Sequence, residues 1–187
     1  MQQILKLLFI SLLLLPFSAS SVELGGITMP DQLQVDGQIL VLNGAGIRGK
    51  FIFDLYVAGL YLTQKNSDAE QIIQADKAMA LRLDIISSKI TSEKMTEATR
   101  EGFEKSTNNN TDPISTKIGQ FLAAFDAKIV EGDIFEFIYV PSSGVEVLKN
   151  GAKHTTVPSL AFKQALFGIW LSDKPVKEKL KNQLLGK

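Results

Sequence analysis

Apolar residues recur along this chain in two rhythms, an alternation of period two in two separate runs and a spacing near 3.6 between and after them. Val35 to Leu42 and Phe51 to Leu62 read as neighbouring strands, the second an almost unbroken apolar run without proline. Met79 to Ile86 sets Met79, Leu81, Leu83 and Ile85 against Ala80, Arg82, Asp84 and Ile86, a strand with one polar face. Asp133 to Val140, Gly144 to Lys149 and Ala152 to Val157 make the second run, and Asn150-Gly151 is a strong hairpin signal between its last two members. The helical spacings fall elsewhere. A short helix is predicted between Gln64 and Ala75, where Ser67 and Glu70 form a capping box, and a longer one over Thr91 to Ser106, capped by Thr91 or Ser92. Asp112-Pro113 opens a third, striped by Ile114, Ile118, Phe121, Leu122 and Phe125. Ser159 caps Leu160 to Leu171, Lys174-Pro175 after Asp173 opens a last helix, and Gly186 stands where a C-terminal cap glycine belongs. Strands in two runs and helices in two clusters, without a βαβ rhythm, predict an α+β fold: an antiparallel sheet covered on one face by a layer of helices, an open-faced β-sandwich.

The first twenty residues break this pattern. Lys6 precedes an apolar block, Leu7 to Leu15, and small residues Ser18-Ala19-Ser20 end the segment, which is the layout of a secretory signal peptide over residues 1–20. The block is shorter than the roughly 20 apolar residues a spanning helix needs and is closed by Pro16, so no integral membrane segment is expected after processing. That leaves residues 21–187 as one domain, expected in the periplasm of a bacterium. With no cysteine, the chain has neither a lipid-attachment thiol nor disulfides.

Charge and composition then narrow the chemistry. The formal net charge is zero and Lys6 leaves with the signal, so nothing attracts nucleic acid. One histidine, His154, sits in the polar stretch Asn150 to Thr156 and reads as solvated; with no cysteine beside it, no metal site is expected. No cofactor is expected either. Gly44-Ala45-Gly46-Ile47-Arg48-Gly49 fits the dinucleotide pattern G-x-G-x-x-G, but the run from Phe51 onward reads as strand, whereas pyrophosphate needs a helix N-terminus there.

The same glycines set a lone arginine, Arg48, beside the long apolar run. A guanidinium at the mouth of buried strands meets an anion or a polarised oxygen. Gly44, Gly46 and Arg48, followed by Tyr56, Gly59, Leu60 and Tyr61, resemble the Gly-x-Gly-x-Arg and Tyr-x-x-Gly-Leu-Tyr segments of the chalcone isomerase fold family. The resemblance continues through Ser92-Glu93-Lys94-Met95 to Ile169-Trp170-Leu171-Ser172-Asp173-Lys174-Pro175, an ending similar to that of the family's bacterial secreted branch. It implies a long antiparallel sheet, a helical layer and a ligand cleft between them.

The resemblance implies two activities, and the residues weigh them. The family's isomerases use the motif arginine to steady a developing enolate, which a cationic donor can do. Arg48 matches that arginine, but Thr91 stands where those enzymes place an assisting tyrosine and Ala98 replaces a polar amide. Thr91 is thus a catalytic candidate beside Arg48 only if the protein is an isomerase, an intramolecular lyase acting on a conjugated carbonyl. The family's fatty-acid-binding members hold a carboxylate with the motif arginine and a strand tyrosine, which Arg48 and Tyr56 match. The expected function is therefore binding of a small amphipathic anion, a fatty acid or aromatic acid, through Arg48, Tyr56 and Arg82, the last standing where the enzymes keep a lysine. A structural or interaction protein with a vestigial cleft remains a third reading, with Arg48 paired to Asp54, Asp84 or a carbonyl and Arg82 paired to Asp84. One geometric demand is sharp. On a single straight strand Arg48 and Tyr56 would lie roughly 26 Å apart, so for both to reach one ligand the chain must bend or bulge at Gly49-Lys50 or the long side chains must converge across the cleft.

Overall fold

The computed structural model describes residues 21–187; the anticipated signal segment, residues 1–20, lies outside the described residues. The strands are β1 (Val22–Leu24), β2 (Ile27–Met29), β3 (Gln32–Val35), β4 (Gln38–Lys50), β5 (Phe53–Leu62), β6 (Met79–Ile85), β7 (Ile134–Val140), β8 (Gly144–Lys149) and β9 (Ala152–Val157). The helices are α1 (Ala69–Gln74), α2 (Ser92–Ser106), α3 (Ser115–Leu122), α4 (Leu160–Leu171) and α5 (Glu178–Leu184). Strands β3 to β9 form one antiparallel sheet in sequence order, the α+β architecture that the alternation implied.

The chief departure lies in the glycine motif. Rather than linking two strands, Gly44 to Lys50 continues β4, and the chain reverses only at Phe51-Ile52. Two bulges interrupt the β4–β5 ladder, one leaving Asn43 unpaired on β4 and one leaving Leu55 unpaired on β5. Bulges re-aim side chains. Asn43 is turned into the core, where its amide donates to the Leu184 carbonyl (2.8 Å) and the Asn66 carbonyl (2.9 Å) while accepting from the Asn66 amide (2.7 Å).

That contact fixes α5 against β4, and the two glycines make room for it. A Cβ on Gly44 would lie 2.2 Å from the Gln183 carbonyl, and one on Gly46 2.4 Å from the Gln183 side-chain oxygen. Helix α5 begins at Glu178 with Lys177 as cap, three residues after Pro175, which places Lys174-Pro175 in the connection and not in the helix. Similarly, α1 is capped by Asp68, whose carboxylate accepts from Gln71, and not by Ser67.

Helices α1 to α5 share one face of the sheet. Beneath them Phe103, Phe121, Phe125, Phe135, Phe137 and Phe162 are buried in a continuous aromatic cluster, with Phe121 and Phe137 centroids 5.1 Å apart. Lys163 of α4 is fully buried there, and its ammonium donates to the carbonyls of Ile72, Ile73 and Ala75 at the end of α1. A cation at a helix C-terminus satisfies orphan carbonyls and opposes the negative end of the dipole. Burial pulls this ammonium down to about 8, with Asp76 opposing. The opposite face carries a smaller core of Leu40, Leu42, Val57, Tyr61 and Ala80, capped by Met29 from the β1–β2 hairpin. The alternation does not mark that hairpin, because strands of three residues are too short to establish a period.

Candidate functional site

The β4–β5 hairpin sets Arg48 directly opposite Tyr56. Cross-strand partners share a face, with Cβ atoms roughly 5 Å apart. The reversal at Phe51-Ile52 thus meets the geometric demand by a full turn, two residues beyond the anticipated bend at Gly49-Lys50. Both side chains border a cavity of about 520 Å³ between the sheet and the helices. Its walls are Leu83, Phe121, Phe125, Phe137, Ile169 and Trp170, with Met95, Ala98, Thr99 and Gly102 of α2 forming the lip. The volume lies within the range of small-molecule sites.

At the inner end, the Trp170 indole donates to the Tyr56 hydroxyl (3.0 Å). Indole is a donor only, so the tyrosine oxygen accepts and its own proton stays available. No protein acceptor for that proton lies among the described residues. Burial pushes the Tyr56 phenol up from its ordinary value, while the Trp170 hydrogen bond and the Arg48 charge pull it partly back. Tyr56 is therefore a neutral donor at physiological pH. Arg48 is half-buried and donates to the carbonyl of Gly49, and among the described residues no carboxylate lies within ion-pair distance of it. Its guanidinium also borders a second cleft of about 570 Å³, lined by Lys50, Asp54, Lys177, Lys179 and Gln183. The Gln183 side-chain oxygen is buried there without a hydrogen-bond partner.

Two sequence candidates fall outside the cavity. Arg82 lies on the opposite face of the sheet, where its guanidinium forks onto Asp84 (2.8 and 2.9 Å) and approaches Glu136 (3.8 Å). As a ligand-binding residue it is corrected: in β6 the cavity side belongs to Leu81, Leu83 and Ile85, and strand parity turns Arg82 away. Thr91 is corrected too. Its hydroxyl accepts from the Lys94 amide (3.3 Å) as the cap of α2, and it borders no part of the cavity. The sequence marked Trp170 only as the end of an apolar helix and gave no sign of its indole as a donor to Tyr56, and it did not mark Gly102, which with Ala98 opens the space beside α2.

Comparison with known proteins bears on the fold. No curated protein matches the sequence. Among solved structures, a fatty-acid binding protein of Arabidopsis thaliana superposes with a TM-score of 0.68 at 16% identity, covering 89% of this chain and 96% of the other. At that identity the likeness is one of fold. The family profile described as chalcone isomerase-like matches residues 21–186. Given this match over the whole described domain, the chain belongs to the chalcone isomerase-like family.

Proposed function

We propose that this protein binds one amphipathic carboxylate of the fatty-acid class, its head group held by Arg48 and Tyr56 and its tail laid along the apolar cavity. The observation that carries the reading is the pairing of an arginine free of any carboxylate with a tyrosine whose oxygen is already occupied by Trp170. A carboxylate supplies the anion that Arg48 does not meet among the described residues and the acceptor that the Tyr56 proton does not, through charge-assisted bonds from the guanidinium and one from the phenol. The fatty-acid binding protein with the same fold adds support by analogy.

The experiment is titration with a fluorescent long-chain fatty acid, beside native mass spectrometry of freshly purified protein. Saturable binding that weakens in Arg48→Ala and Tyr56→Phe is expected; binding indifferent to both would sink the reading. The isomerase alternative needs a group to assist Arg48. With Thr91 committed to its helix and Ala98 in the wall, no turnover of 2′-hydroxychalcone above the spontaneous rate is expected. Clear turnover abolished by Arg48→Ala would replace binding with catalysis.

The periplasm is part of the same proposal, resting on the signal-type layout of residues 1–20. N-terminal sequencing should find a mature chain starting near Ser21; a membrane-retained product still carrying Leu7 to Leu15 would overturn that location.

A further inference from the structure

The turn between β4 and β5 is made of two residues that such turns seldom use. Two-residue hairpin loops require positive φ and favour asparagine and glycine, yet here they are Phe51, at φ 55°, and Ile52. A bulky residue in that region is strained, and strain of this kind persists where function holds it. Both side chains face solvent, Phe51 94% and Ile52 89% exposed, and the next ring, Phe53, is 44% exposed. Large apolar groups at the most protruding point of a hairpin do nothing for the core.

Their neighbours are cationic. Lys50 precedes the tip; the Lys89 ammonium lies 5.4 Å from the centre of the Phe53 ring; the Lys94 ammonium donates to the Lys89 carbonyl (3.2 Å). Lys177 and Lys179 border the adjoining cleft together with Lys50 and Phe51. The acidic residues bordering the two hollows are Asp54, Glu97 and Glu101. In a chain of zero formal net charge, these lysines and Arg48 concentrate positive charge around an apolar point. Lys50, Phe51, Phe53 and Lys89 are also the rim of the ligand cavity.

We infer that the Phe51-Ile52 tip docks on the surface of an anionic lipid bilayer, with the two side chains entering the acyl boundary and the lysines resting among the head groups. Apolar groups below and lysines above is the arrangement of interfacial membrane anchors, the lysine stems reaching up to keep their charges wet. A convex tip of two residues offers little of the roughly 800 Å² per partner that a standard protein interface buries. Docked in this way, the cavity mouth opens at the depth of lipid carboxyl groups. The inference reaches beyond the ligand proposal and does not depend on it.

The test is co-sedimentation of the purified protein with vesicles of phosphatidylcholine, with and without phosphatidylglycerol. The expected result is partition onto the anionic vesicles that falls as salt is added, since screening shortens the reach of exposed charges. Ile52→Asp should weaken partition more than about tenfold, the scale set by one buried aliphatic side chain. Lys89→Glu should weaken it on the order of fivefold or more. Ile52 borders neither hollow, so Ile52→Asp should keep fatty-acid binding in vesicle-free buffer. Tyr56→Phe, conversely, which alters a buried group away from the tip, should weaken fatty-acid binding and keep the vesicles. Absence of partition onto either vesicle, or equal partition of Ile52→Asp, would overturn the inference. So would self-association abolished by Ile52→Asp without vesicle binding, which assigns the tip to a second copy of the chain.

Discussion

Trp170 and Tyr56 share a hydrogen bond, and Arg48 stands across the strand pair from the tyrosine, both bordering the cavity. Because the indole can only donate, the phenol is left holding its proton, and burial keeps it protonated. Removing the arginine deletes a charged hydrogen-bonding group worth about 1.5–3 kcal/mol, so Arg48→Ala should weaken fatty-acid affinity about 10- to 150-fold. Tyr56→Phe removes a neutral donor and should cost about tenfold or less. Equal losses, or a larger one for the tyrosine, would show that the head group sits elsewhere. Arg48 stood out in the sequence because a charged side chain interrupts a run of glycine and apolar residues, whereas Tyr56 was marked only by the family resemblance. Trp170 was hidden among apolar neighbours, its polar edge indistinguishable from core. Arg82 was misplaced by analogy although its own strand already told its side: Leu81, Leu83 and Ile85 alternate with it and claim the buried face. Thr91 had two readings, cap and assistant, and the local backbone bond decided for the cap.

Elements were legible where a period had room to repeat. Helix α2, helix α4 and strands β6 to β9 follow their spacing closely, whereas the β1–β2 hairpin, three residues a side, gave no period to read. Strand β4 was cut short at Leu42 because glycines lower strand propensity, and here they serve the helix that lies across them. Gly46 is the sharper test of that role. An added methyl group would strike the Gln183 side chain at 2.4 Å, and overpacking of this kind costs typically 1–3 kcal/mol. Gly46→Ala should therefore lower the urea midpoint by a corresponding amount and raise hydrogen exchange in α5, while Gly151→Ala, whose Cβ meets nothing within 4 Å, is strained only by its φ of 76° and leaves α5 protected. Unchanged exchange in α5 after Gly46→Ala would mean that the Gln183 side chain moves aside and that the close approach at Gly46 does not hold the helix.

At the scale of the molecule, acid sensitivity should trace to one clasp at the sheet's end. Burial pulls the Asp133 carboxyl up, but bonds from Asn150, Lys149 and the Val130 amide outweigh it and hold the group below its ordinary value. A carboxyl depressed on folding lends stability that is complete above its unfolded value, about 3.9, and is lost as pH falls through the folded one. Unfolding midpoints measured between pH 6 and 3 should thus fall more steeply in the unaltered protein than in Asp133→Asn; parallel curves would clear Asp133 of any part in acid sensitivity. The clasp joins residues close in sequence, and most of the sheet does likewise, each strand meeting its successor. Contacts to the helices reach further, and that of Asn43 reaches further than those of Tyr56 and Lys163. The partner of Asn43, the Leu184 carbonyl, lies 141 positions further along the chain. The strand that carries Arg48 therefore stays open along its glycine edge until residue 184 has been made. On a growing chain the side of the protein that holds the arginine is thus sealed late, after the meander between the two partners has had time to form.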